Sequence, residues 1–257
     1  MAFFLFVHGA WHSGWCFAKV ADALRREGHH VLAPDLPGIG GEEAELAAVT
    51  LEGWGRFVAS LVRVQPEPVI LCGHSRGGVV ISTAAEIAPE AIRALVYIAA
   101  FMLPDGDWAS SFKARQPVQS PFSRANAISV IGEKAGTRMD PRAAAEFFYN
   151  CCAPEDRLSA AGRLMADPFQ PSRTRLRLSE GRFGTVPRFY VECTEDRVIP
   201  LSEQRLMQES LPVEAVETLY CDHSPFLSNA EGLAGALLRI ERRAGRSGGI
   251  VRPPVEK

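Results

Sequence analysis

The chain has 257 residues, 47% of them hydrophobic and 23% charged, which fits one large soluble domain or two small ones. A net charge of −2, with scattered basic residues that are mostly Arg, argues against a nucleic-acid or polyanion partner. The six Cys form no C-x-x-C pair and read as free thiols in a cytoplasmic setting, and no apolar run reaches the length of a membrane span.

Residues 3–7 are all apolar, as in a strand buried on both faces. The run is too short for a secretory leader and lacks its basic flank. A loop (His8 to Trp15) leads to a helix over 17–26 with Val20, Ala21 and Leu24 on one face, closed by Gly28. A short strand at 31–33 and a turn-rich loop at 35–41 follow. A helix over 51–64 should turn Phe57, Leu61 and Val64 inward, and Pro66 and Pro68 end it. The strand 69–72 runs into Gly73-His74-Ser75-Arg76-Gly77, and a helix then spans 78–88. Another buried strand covers 94–100. This alternation means βαβ units and a mostly parallel, doubly wound sheet.

Between about 103 and 184 the texture changes to helical stretches with no strong strand. Asp140-Pro141 opens one helix over 142–149, and Pro154 opens another over 157–165. This segment reads as a helical cap inserted into a core formed by 1–102 and 185–244. The alternation resumes with a strand at 188–193, a helix at 203–210, a strand at 217–220 and a helix at 230–243. The tail 245–257, rich in Gly, Pro and charge, is expected to be disordered.

The segment 73–77 is G-x-S-x-G at a strand-to-helix turn. A nucleophilic Ser on so sharp a turn needs neighbours without bulk two residues to either side. A Ser hydroxyl needs a base, and the base needs an orienting acid. Of the six His, His223 follows the last strand near the C-terminus, the place for the base. His29 and His30 lie at the wrong end of the sheet, and His74 should point away from Ser75. The acid should follow the strand 188–193, where Asp196 is favoured over its neighbour Glu195; Asp222 is a weaker rival. The amides of Arg76 and of Ala10, in the loop after the first strand, are placed to form an oxyanion hole. The Arg76 side chain is expected to face solvent. No cofactor or metal motif is present.

Five segments carry a resemblance: Phe6-Val-His-Gly-Ala-Trp-His12 with Gly14-Trp15, Gly73-His-Ser-Arg-Gly-Gly78, Cys152-Ala-Pro-Glu-Asp156, Arg182-Phe-Gly-Thr-Val186 leading to Cys193-Thr-Glu-Asp196, and Asp222-His223. In order and spacing, from residue 3 to about 240, the chain resembles the plant methylesterase and hydroxynitrile lyase group of α/β-hydrolases and its bacterial esterase relatives. The resemblance implies an α/β-hydrolase fold, a triad of Ser75, Asp196 and His223, no cofactor, and a small cap over a mostly apolar pocket.

Two departures separate the branches. Lyase members of that group carry a Lys after the catalytic His and a Thr in the early loop; here Ser224 and Gly9 stand there. No aromatic residue stands near Ile128, where plant members line the pocket with one. The expectation is therefore a serine esterase for small, mostly apolar esters, a monomer or homodimer, with Trp11 and Ser224 as candidate pocket walls. A hydroxynitrile lyase, or a receptor that binds without turnover, is the alternative.

Overall fold

In the computed structural model, which describes residues 1–247, β1 (Phe3–Val7) leads through a single 3-10 turn into α1 (Ala18–Arg26) and β2 (His30–Leu32). Next come α2 (Glu43–Ala48), α3 (Leu51–Arg63), β3 (Val69–His74), α4 (Gly77–Ile87) and β4 (Ile92–Ile98). The following segment carries α5 (Ala109–Ala114), α6 (Pro121–Arg124), β5 (Ile128–Ile131), β6 (Gly136–Met139), α7 (Pro141–Phe147), α8 (Pro154–Ala161) and β7 (Asp167–Pro168). The chain then resumes with β8 (Arg188–Cys193), α9 (Leu201–Ser210), β9 (Ala215–Leu219), α10 (Pro225–Ser228) and α11 (Ala230–Ser247).

Six strands form one parallel sheet in the order β2-β1-β3-β4-β8-β9. Its middle strands β3 and β4 are mostly apolar and buried because both faces are covered. Leu71 points into one core with Trp54, Val58 and Val62 of α3 and Val80 and Ala84 of α4. Its neighbours Ile70 and Cys72 point into the other, with Val20 and Leu24 of α1 and Leu237 and Ile240 of α11. The chain winds outward from β1 to β2 and returns to β3 on the far side of β1. That reversal opens a crevice at the carboxyl ends of β1 and β3, where parallel sheets bind ligands.

Three expectations need correction. The segment 103–184 is not purely helical: β5, β6 and β7 form a second, antiparallel sheet, with Ser129 opposite Arg138 and Thr137 opposite Asp167. The inward face of α3 is Leu51, Trp54, Val58 and Val62, while Val64 lies beyond the helix end and is 74% exposed. The polar ends of Trp54 and Thr50 set this rotation. Trp54 Nε1 donates to Pro37 O at 2.8 Å, and Thr50 Oγ1 caps the helix by accepting the Gly53 N–H at 3.0 Å. Finally, α11 continues to Ser247, so residues 245–247 are helical rather than part of a tail; the rest of that call, 248–257, lies outside the described residues.

Candidate active site

Ser75 sits at the turn between β3 and α4 with φ of 53°, a left-handed conformation that costs a non-Gly residue energy. The turn is held by Ser75 N–H to Ile98 O at 3.2 Å and by Phe101 N–H to Ser75 O at 3.0 Å. It closes because Gly77 lies against β1; a Cβ there would sit 2.4 Å from Val7 O.

The loop after β9 brings His223 over the turn, and Nε2 lies 2.9 Å from Ser75 Oγ. His223 Nδ1 is 2.7 Å from Asp196 Oδ2. These pairings assign an Nδ1–H tautomer that donates to Asp196 and accepts the Ser75 proton at Nε2. Asp196 Oδ1 accepts the N–H groups of Val198 (2.7 Å) and Ile199 (2.9 Å), and Gln204 of α9 reaches Oδ2 at 3.4 Å. Gln204 also accepts the Cys193 N–H and donates to Ile199 O. It thus fastens the whole loop, a role no sequence pattern signals.

The rivals lie elsewhere. Glu195 accepts the Thr194 hydroxyl, and His223 Nδ1 is taken by Asp196 instead. Asp222 is wholly buried, and its carboxylate accepts from Ser224 N, Ser228 Oγ and Cys151 N. It therefore ties the His223 loop to the segment before α8. His74 does not face Ser75. Its Nε2–H donates to His223 O at 2.7 Å, and the two rings are 4.7 Å apart.

His8 and His12 complete a layer of buried imidazoles beneath the site. His8 Nδ1–H donates to Gly9 O and its Nε2 accepts the Leu36 N–H. His12 Nδ1–H donates to Ala10 O and its Nε2 accepts the Tyr149 hydroxyl. Loss of solvation pushes His8 down to about 4 and His12 to about 3, and it lowers His74 well below the ordinary value.

Ser75 opens into a cavity of about 440 Å³ lined also by Ala10, Trp11 and Arg76. Its outer wall is Phe101, Phe122, Ile128, Val130 and Phe169. The aromatic wall near Ile128 thus comes from Phe122 of α6, a different element. Ser224 is not part of the wall, because α10 turns it inward to full burial. The Arg76 side chain, expected in solvent, is 1% exposed. It is ion-paired with Asp167 of β7, its guanidinium carbon lies 4.6 Å from the Trp54 ring centre, and Nη2 is 3.4 Å from Gly9 O.

A parallel sheet wound this way, with a Ser-bearing strand-to-helix turn facing a His and an Asp from later loops, is the arrangement of the α/β hydrolases. The chain belongs to that family: the Alpha/beta hydrolase family model matches residues 4–236. It is 34% identical over 254 residues to salicylic acid-binding protein 2 of Nicotiana tabacum, covering 93% of this chain and 97% of that one. It is 32% identical over 249 residues to methylesterase 7 of Arabidopsis thaliana, covering 92% and 95%. The chain spans 64% of the length of another relative, a putative chloroplastic methylesterase 11 of A. thaliana. Among solved structures it is similar to a pyrethroid hydrolase from Sphingobium faniae JZ-2, with a TM-score of 0.85 at 28% identity over 95% of this chain and 99% of that one.

Proposed function

We propose that the protein is a serine hydrolase of small, mostly apolar carboxylic esters, with residues 103–184 acting as the cap that selects them. The observation that carries this reading is the relay Ser75 Oγ–His223 Nε2–Asp196 Oδ2, at 2.9 and 2.7 Å, on the floor of a largely apolar cavity. Ser75 Oγ attacks the ester carbonyl carbon as His223 Nε2 takes its proton. Asp196 holds the imidazole and offsets the charge it gains. The Ala10 and Arg76 amides take the developing oxyanion. His223 then protonates the departing alkoxide, and the alcohol leaves an acyl-Ser75. Water attacks that ester with His223 again as base, which releases the acid and restores Ser75.

The lyase alternative loses support. Ser224 supplies no cation beside His223 and is buried away from the cavity. At position 9 a Cβ would lie 2.9 Å from Ser75 Cβ and from His74 Nδ1, which disfavours a Thr there. The six thiols are free, which supports a reducing compartment such as the cytoplasm. Among the described residues, no helix is long and apolar enough to cross a membrane.

The test is turnover of an aryl ester panel together with labelling by a fluorophosphonate. Wild type should hydrolyse short esters and label at Ser75, and Ser75→Ala should do neither. Binding without turnover across the panel would revive the receptor alternative, and cyanide release from a cyanohydrin the lyase one.

A further inference from the structure

Arg76 is the one charged side chain in the Ser75 turn, and it is buried with three neighbours from three parts of the fold. Nη1 pairs with Asp167 Oδ2 of β7, Nη2 approaches Gly9 O at 3.4 Å, and the guanidinium lies over Trp54 of α3. The second oxygen of Asp167 accepts the Trp11 N–H at 3.0 Å. One carboxylate therefore bridges the turn after β3 and the loop after β1, the two segments that hold the Arg76 and Ala10 amides.

The geometry of one peptide unit makes this matter. Gly9 O and Ala10 N belong to the same planar, trans peptide, so the N–H points opposite to the C=O. Gly9 O is held from one side by His8 Nδ1 at 2.9 Å and by Arg76 Nη2. Fixing that carbonyl fixes the direction of the Ala10 N–H. A cation on the carbonyl also polarises the unit, which strengthens its N–H as a donor where negative charge grows. Trp11 is fastened as well, although its φ of 61° is a left-handed conformation for a bulky residue. Its N–H goes to Asp167, its carbonyl accepts from Met165 N at 2.9 Å, and its indole N–H donates to Thr137 Oγ1 at 3.1 Å. All three partners lie in the segment between β4 and β8.

We propose that Arg76 and Asp167 form a positioning pair that sets the Ala10 amide of the oxyanion hole and makes that amide depend on the seating of β7. This rests on the assignment of Ser75 as nucleophile. The Arg76 main chain supplies one donor of the hole; its side chain, through Gly9, aims the other. Asp167 keeps the guanidinium in place, its two oxygens taken by Arg76 and the Trp11 N–H.

The test compares Arg76→Lys, Asp167→Asn and the double variant Arg76→Met/Asp167→Asn with wild type. The readouts are kcat and KM on p-nitrophenyl butyrate per fluorophosphonate-labelled site, and the affinities for butylboronic acid and for an amide isostere of the substrate. The boronate forms a tetrahedral, negatively charged adduct on Ser75 that draws fully on the oxyanion hole, whereas the amide stays trigonal and develops no charge there. Each folded variant should lose about 10- to 100-fold in kcat and a similar factor in boronate affinity, with KM and amide affinity near wild type. Asp167→Asn leaves a buried guanidinium without its partner and can fail to fold. The double variant carries no unpaired charge and keeps an acceptor for Trp11 N–H, so it decides the matter. A folded double variant with wild-type kcat and boronate affinity per labelled site would overturn the pairing, as would a rise in KM with kcat unchanged. Ester turnover by Ser75→Ala, by contrast, would sink the nucleophile assignment itself, and the pairing with it.

Discussion

At the carboxyl ends of β1 and β3, polar groups around Ser75 are held more than once: besides His223, Asp196 takes N–H donors from Val198 and Ile199 in its own loop and from Gln204 of α9, and His8 and His12 each use both ring nitrogens. The segment over the same cavity is joined to the core at separate points. Among these are Asp167 to Arg76 and Trp11, Tyr149 to His12, Cys151 to Asp222, and Lys113 to Glu203. Its cavity wall includes Ile128 and Val130, which are 38% and 55% exposed. Groups that must hold a reacting atom within a fraction of an ångström are over-determined, while groups that need only offer an apolar surface are not.

That contrast can be broken from either side. The largest effect is expected in the relay: His223→Ala or Asp196→Asn should lower kcat on an aryl ester by about 10⁴-fold without loss of fold. A loss below tenfold, measured on folded protein, would put the chemistry elsewhere. Next is the tie at Asp222. Asp222→Ala leaves several buried donors without an acceptor and should cost about 3 kcal/mol or more of stability, read as a lower urea midpoint. The rate per labelled site should fall far less than in the relay variants.

Acid should act on the core side. His8 has a folded value of about 4 against an ordinary 6.5, so its neutral form is favoured in the native state. Its contribution is intact above 6.5 and is lost as pH falls from 6.5 towards 4, a loss of about 3 kcal/mol by linkage. His12 extends the loss towards 3. Residues 103–184 contain no His, so urea midpoints measured from pH 7 to 4 should respond to His8→Asn but not to substitutions on β5. A midpoint that stays level over that range would contradict the buried neutral layer. The smallest effect belongs to the open wall: Val130→Ser should raise KM for butyrate esters less than about tenfold and leave kcat in place.

Much of the core is legible in the residues because its signals are local. A strand covered on both faces is a continuous apolar run, and β8 spans the expected 188–193. The Ser75 turn carries its glycines beside it, and Asp140 with Pro141 marks the start of α7; Asp140 Oδ1 accepts the N–H groups of Arg142 and Ala143. What escapes is long-range. Nothing near Arg76 announces Asp167, which lies 91 residues downstream. Gln204 is one polar residue among several on α9. The hairpin of β5 and β6 hides because Ser129, Arg138 and Thr137 interrupt its apolar residues, and a strand lying open to solvent lacks the apolar signature of a covered one. Ser224 reads as a wall because it follows His223, yet Pro225 starts a helical turn that buries it.

Parallel neighbours cannot be joined by a tight turn, so the chain must cross from the end of β4 at Ile98 back to the start of β8 at Arg188. The segment over the cavity occupies this obligatory crossover, and the sheet pairing of β4 with β8 does not depend on what the crossover contains. Closing a longer loop costs little, about 0.6 kcal/mol for each doubling of its length. The sheet therefore sets few limits on the length of this stretch, and the limits come instead from its ties to the Ser75 end of the core, at Arg76, Trp11 and Asp222.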